Sequence, residues 1–169
     1  MKIQRGFTLI EMMTTLVIAT ILLTVGVPSF SQVIRTNRIA SQVNLLVSSL
    51  NAARSEAVSR GVPVSICASA NQATCSGNND WSTGWIVYTD NNSSGATSVS
   101  QVLRTHESLT GAPVVATDTG ATFIRYQNDG SAGAQVNITH TIADCSGTEQ
   151  RVINVSAAGR VSTTSAACP

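Results

Sequence analysis

From Phe7 to Val27 the side chains are almost all apolar or small, and the one charge among them is Glu11. A run of that length is about enough to cross a bilayer as one helix, which takes roughly 20 residues. A carboxylate near the start of a membrane helix is costly and by default marks a function. Only six residues precede the run, and two of them, Lys2 and Arg5, are cationic. That bias keeps the short N-terminus in the cytoplasm. A plain anchor has no use for the acid. A secretory signal has a shorter apolar run followed by a small-residue cleavage site, whereas Val27-Pro28-Ser29-Phe30 follows here.

In lipid Glu11 needs a cationic partner. Beyond Lys2 the chain has no lysine, and the first arginine after the run is Arg35. No cationic side chain is therefore at hand within the run. Arg5-Gly6-Phe7-Thr8-Leu9-Ile10-Glu11 resembles the class III signal of type IV pilins and type II secretion pseudopilins. The resemblance implies that a prepilin peptidase cuts between Gly6 and Phe7 and methylates the Phe7 amine, which makes that α-amine, on this subunit or a neighbour, the nearest candidate partner for Glu11. It also implies that the helix is retained, anchors in the inner membrane, and packs against other major and minor pilins with Glu11 setting the register. The expected division is a leader over 1–6, a transmembrane and assembly helix over 7–28, its amphipathic second half over 29–60, and a β-rich globular domain over 61–169.

Loss of the leader would leave a net charge near −1, and from Ser29 onward eight arginines balance eight acids. Nothing in that total points to nucleic acid. Charged residues make up only 11% of the chain. Such a composition, rich in Ser, Thr, Asn and Gly, suits an extracytoplasmic β domain with polar loops. Cys67, Cys75, Cys145 and Cys168 all fall in the part expected outside the inner membrane. Four cysteines in an oxidising compartment suggest two disulfides and allow three connectivities. The pairing we expect is Cys67–Cys75, closing a loop, and Cys145–Cys168, tying down the C-terminus. Zinc is the competing use, but no CxxC or HxxxH spacing occurs, so no metal or other cofactor is expected.

Past Pro28, where a kink is expected, Phe30, Val33, Ile34, Ala40, Val43, Leu46, Val47, Leu50, Ala53 and Ala57 recur at three- and four-residue steps. That spacing predicts an amphipathic helix. Glu56 and Arg60 make an i,i+4 pair, and Gly61 and Pro63 supply the stop. Phe7 to Arg60 would make one helix of about 80 Å. The period then changes to two. About seven strands follow, starting near Val62, Gly84, Ser100, Val114, Ala121, Gln135 and Gln150, with a short last one from Arg160. The expected fold is α+β, a type IV pilin-like long helix whose second half covers an antiparallel sheet.

The globular part carries a second resemblance. Ala53-Arg54-Ser55-Glu56-Ala57, Val64-Ser65-Ile66-Cys67, Cys75, Trp81, Gly84-Trp85-Ile86-Val87-Tyr88-Thr89-Asp90 and Gly159-Arg160-Val161 resemble the H-type pseudopilin and FimT/FimU minor pilin family. Members serve either as minor subunits of type IV pili or near the tip of the type II secretion pseudopilus. The Cys67/Cys75 pair and the Gly84-Trp85 strand are more similar to the pilus branch. One branch binds double-stranded DNA for natural transformation through Gly-Arg-x-Arg. Here Ser162 replaces the second arginine. Arg160, Arg151 and Arg125 could form a small patch, yet Asp129, Asp144 and Glu149 lie close to them in sequence. Affinity for DNA grows with the number of phosphates neutralised, so this reading requires folding to segregate the charges.

Catalysis is not expected. There is no Gly-x-Ser-x-Gly elbow and no phosphate loop. His140 alternates with Val136 and Ile138 and is expected on the apolar side of a sheet, and Trp81 and Trp85 in the core or anchoring a loop.

Overall fold

The computed structural model describes residues 6–90 and 99–169, and the side chains of 25–29 also lie outside that description. The chain divides into two compact units, 1–38 and 39–169. One helix, α1 (Leu9–Arg60), is shared between them. The strands are β1 (Val64–Ala68), β2 (Trp85–Thr89), β3 (Gln101–His106), β4 (Val114–Thr117), β5 (Phe123–Tyr126), β6 (Val136–Thr141), β7 (Gln150–Val155) and β8 (Val161–Ala166), with a 3-10 turn over Trp81–Thr83 before β2.

In the first unit the helix begins at Leu9, two residues later than expected, because Thr8 and Glu11 form a capping box. The Glu11 N–H donates to Thr8 Oγ1 at 3.3 Å, and the Thr8 N–H donates to Glu11 Oε2 at 3.4 Å. Each later threonine of this stretch turns its hydroxyl back onto the helix. Thr14 donates to Glu11 O, Thr15 to Met12 O, Thr20 to Leu16 O and Thr24 to Ile21 O, all between 2.7 and 3.0 Å. The helix therefore presents apolar side chains while meeting its own hydroxyl groups. It does not stop at Pro28, and the expected kink there lies outside the described residues. Among the described residues, no helix is long and apolar enough to cross a membrane. The fully described apolar run ends at Thr24, short of the roughly 20 residues a span needs. The transmembrane segment expected over 7–28 thus lies partly outside what is described.

In the second unit Ile39, Val43, Leu46, Leu50, Ala53 and Ala57 are all buried. Their steps alternate four and three, a heptad stripe on one face of the helix. The expected stripe was misplaced at its start, since Ile39 is buried and Ala40 exposed, while Phe30, Val33 and Ile34 belong to the first unit and are exposed. Gly61, in the left-handed region at φ 66°, ends the helix with its N–H on Ala57 O at 3.0 Å.

Two four-stranded antiparallel sheets close on this stripe, where about seven strands over a single sheet face were expected. Sheet 1 runs β3-β2-β1-β5 and sheet 2 runs β4-β6-β7-β8. Val64, Ile66, Ala68, Trp85, Val87, Ile124 and Tyr126 of sheet 1 share one core with Val115, Ile138, Ile153 and Val155 of sheet 2. Alternation shows which face is apolar but not which strand is the neighbour, so the split into two sheets was not visible in it.

Three polar contacts tie the layers together. His140 of sheet 2 is buried, and its Nε2 is 2.9 Å from Gln42 Oε1 on the helix. Gln42 Nε2 donates in turn to Thr110 O at 2.7 Å, so the carboxamide offers its oxygen to an Nε2–H tautomer. Asn79 pairs with Thr117 of β4, donating to its carbonyl at 2.9 Å and accepting from its N–H at 2.8 Å. Arg54 reaches two turns at once. Its Nε donates to Gly130 O and its second terminal nitrogen to Ala158 O, both at 3.0 Å. The turns touch so closely that a Cβ on Gly159 would lie 1.9 Å from Gly130 O, and Gly159 is also left-handed at φ 76°.

Two predictions follow from this packing. Gly159→Ala forces those turns apart and should lower unfolding free energy by about 3 kcal/mol. Arg54→Met, which removes both bonds of the guanidinium, should lower it by about 2 kcal/mol. Urea denaturation of the detergent-solubilised chain measures both, and the double variant should cost less than the sum because the two act on one contact. Burial lowers the pKa of His140 from 6.5, with Arg151 adding to the effect. The fold thus holds the neutral ring, while the unfolded chain takes up a proton near pH 6.5. Stability should be full above that pH and fall as the solution is acidified below it. His140→Gln should flatten the dependence between pH 7.5 and 5.

Candidate functional site

The residues around the expected cleavage point lie at the exposed start of α1. Gly6, Phe7 and Thr8 precede the helix and are exposed, Phe7 at 81%. A peptidase needs an exposed peptide bond, and residues 6–8 are exposed and lie ahead of the helix. Glu11 is exposed too, and its nearest polar partner is Thr8, through the backbone N–H and, at 3.5 Å, the hydroxyl. The acid has a neutral capping partner in its own chain, which the sequence reading missed although Thr8-Leu9-Ile10-Glu11 spells a capping box.

Between Leu9 and Leu23 the helix carries apolar side chains on every side. Leu9, Ile10, Met12, Met13, Leu16, Val17, Ile18, Ile21, Leu22 and Leu23 are all more than half exposed. A helix apolar all round needs cover on every face. That band, with the acid at its head, holds most of the exposed large hydrophobic residues among those described.

The three arginines considered for DNA are not brought together. Arg125 stands on β5 of sheet 1, on the face away from the helix, because its neighbours Ile124 and Tyr126 face the core. It is committed to Asp90, with 3.5 Å between Arg125 and the Asp90 carboxylate and 3.2 Å to the Asp90 carbonyl. Asp90 is fully buried and also accepts from the Ser65 hydroxyl at 3.1 Å. Burial and the nearby Asp90 charge push the Tyr88 hydroxyl up to about 12, so the phenol in this cluster stays neutral. Arg151 stands near the open end of the β7–β8 hairpin, opposite Ser165. It donates to Thr148 O at 2.7 Å and Gln150 O at 3.2 Å. Arg160 is exposed in the turn at the other end. Five strand positions separate Arg151 from the Ser156 that faces Arg160, about 17 Å. One arginine is neutralised, one is spent on its own loop, and one is exposed at a hairpin tip.

His140 is in the core, as its alternation suggested, and Trp81 and Trp85 are buried. His106 stacks on Trp85 with ring centroids 4.2 Å apart. The two histidines therefore hold packing positions on different sheets. Among the described residues no cluster of His, Cys, Asp or Glu could hold a metal ion. All four cysteines are in disulfides, Cys67 with Cys75 and Cys145 with Cys168. Cys67 lies under a small second core with Ile86 and Tyr88 on the outer face of sheet 1.

Comparison with known proteins agrees with this geometry. The type II transport protein GspH family model matches residues 42–159, and the prokaryotic N-terminal methylation motif matches residues 1–27. Among solved structures, the type IV minor pilin FimU of Pseudomonas aeruginosa strain PAO1 is similar in two crystal forms. In the first the TM-score is 0.61 at 23% identity, over 76% of this chain and 89% of that one. In the second it is 0.59 at 23% identity, over 74% and 91%. At that identity the likeness is one of fold. No curated protein matches the chain. The long helix on antiparallel sheets is the type IV pilin fold. By a match over most of its length, and with the methylation motif at its start, the chain belongs to the GspH family.

Proposed function

We propose that this chain is a minor subunit of a type IV pilus, held in the inner membrane until it is built into the filament near its tip. The observation that carries the reading is the uncovered apolar band from Leu9 to Leu23, headed by an acid, on a helix whose apolar stripe from Ile39 to Ala57 is already buried. Lipid covers such a band before assembly, and the helices of neighbouring pilins cover it afterwards. Cutting between Gly6 and Phe7 creates the amine that Glu11 lacks. The acid of one subunit then pairs with the Phe7 amine of its own chain or a neighbour, and the pair sets how far one helix slides along the next.

A pilus role is favoured over the secretion pseudopilus by the fold likeness to a type IV minor pilin. The H-type pseudopilin of a type II secretion system is the alternative, supported by the family that matches residues 42–159. Capture of double-stranded DNA is the weaker addition, because Arg125, Arg151 and Arg160 stand apart and a single exposed arginine neutralises little phosphate. Deletion of the gene should abolish piliation, with DNA uptake falling only alongside it. Loss of uptake with intact pili would favour DNA capture, and a secretion defect with intact pili would favour the pseudopilus.

Glu11→Ala should abolish incorporation into filaments while cleavage after Gly6 continues. Fractionation of sheared filaments and mass spectrometry of the new N-terminus check the two halves. Glu11→Gln separates the acid's roles, since glutamine keeps the capping box and loses the charge. It should fail to assemble as well. Normal incorporation of the glutamine variant would mean that capping suffices, and the amine pairing would fall.

A further inference from the structure

The four outer edges of the two sheets differ in how they are guarded. Short strands, charged side chains and irregular register are the usual devices that stop an edge from pairing with another chain. β3 carries Arg104, and its register with β2 shifts between Val87 and Tyr88. β5 is four residues long and carries Arg125, and β4 is also four residues long. β8 has none of these. Its six residues, Val-Ser-Thr-Thr-Ser-Ala, pair with β7 in unbroken register. No charged side chain occurs from Val161 to the end of the sequence, and the only proline there is Pro169.

The direction of its backbone groups follows from the hairpin. The Ser156 N–H donates to Arg160 O at 2.9 Å, so these two residues form a hydrogen-bonded pair. Such pairs alternate along an antiparallel ladder. Ser162, Thr164 and Ala166 therefore bond inward to β7, and Val161, Thr163 and Ser165 turn their N–H and C=O groups outward. The edge is also anchored at its far end. Cys168 is bonded to Cys145, and its N–H donates to Gly147 O at 3.0 Å. A strand already fixed at both ends loses little freedom on pairing.

We propose that β8 docks against β8 of a second copy of this chain, antiparallel about a two-fold axis at Thr163, merging two sheets of four strands into one of eight. The strand suits a copy of itself. With Thr163 on the axis, all three outward-facing residues find partners. Thr163 meets Thr163, and Val161 meets Ser165 on either side, giving about six backbone hydrogen bonds. Ser162 falls opposite Thr164, and Arg160 opposite Ala166, so no charge faces a like charge. Hydroxyl pairs of this kind are favourable across strands, and a two-fold contact requires a patch that matches itself.

The test uses the full chain in detergent, followed by sedimentation velocity over a concentration series. Hydrogen exchange of the Val161, Thr163 and Ser165 amides is read in parallel. A reversible dimer is expected, with those amides exchanging more slowly as concentration rises. Thr163→Pro removes only an outward N–H and leaves the β7 ladder intact. Thr163→Lys sets two like charges facing each other at the axis. Each should weaken dimerisation about tenfold or more, with circular dichroism and the unfolding midpoint of the dilute monomer unchanged. A chain that stays monomeric at every concentration overturns the proposal. So does a dimer that tolerates both substitutions, since it would be using another surface, the apolar helix first among them.

Discussion

Both sheets close on one stripe, the heptad spacing of Ile39, Val43, Leu46, Leu50, Ala53 and Ala57. Size falls along it. Large side chains stand at its start and two alanines at its end, which lets the sheets come close to the helix near its C-terminus. That is where Arg54 works. A residue beside the two alanines reaches past them to carbonyls of two turns, one following β5 of sheet 1 and one joining β7 to β8 of sheet 2. A longer side chain at Ala53 or Ala57 would push the layers apart and take Arg54 out of reach.

The close approach of those turns gives Gly159 a physical reason. With Gly130 O 1.9 Å from where a Cβ would sit, only glycine fits. Gly159-Arg160, which by resemblance suggested a DNA contact, is first of all a packing element, and Arg160 is left exposed by the same turn that needs the glycine. The functional reading of that dipeptide and its structural role are separable. The glycine is required by backbone proximity whatever the arginine touches.

Local features of the fold were readable from sequence. The Gly61 stop, the Glu56–Arg60 pair at 2.7 Å and the strand positions depend on neighbours a few residues apart. What escaped depends on distant partners. Gln42 and His140 are 98 residues apart, and Arg54 reaches carbonyls 76 and 104 residues away. No periodicity encodes which buried histidine meets which carboxamide. The arginines failed as a patch for the same reason. Their closeness in sequence to acids was visible, but only the sheet assignment shows that Arg125 lies beside Asp90 while Arg151 and Arg160 lie at opposite ends of one hairpin. Ile39 against Ala40 is a smaller case. A one-residue shift at the head of a helical stripe is invisible until the helix has something to face.

The methylation motif at the start of the chain was legible in the sequence, and there the structure gives Glu11 a competing role. Glu11 caps its own helix through Thr8, and a cap of this kind contributes about 1 kcal/mol. Holding an ionised carboxylate within the apolar part of a bilayer costs about 2.5 kcal/mol or more at the helix centre and less toward its end. Both bonds to Thr8 are long, and glutamine would satisfy them equally without the charge. Capping alone therefore does not offset the acid once the band from Leu9 to Leu23 is covered by lipid or by other helices. A charge kept there calls for a cation, and among residues 7–34 the sequence has none. On the proposed reading, a cut before Phe7 would supply that cation as a new α-amine. Processing and assembly would then be coupled, the first making the group that the second uses.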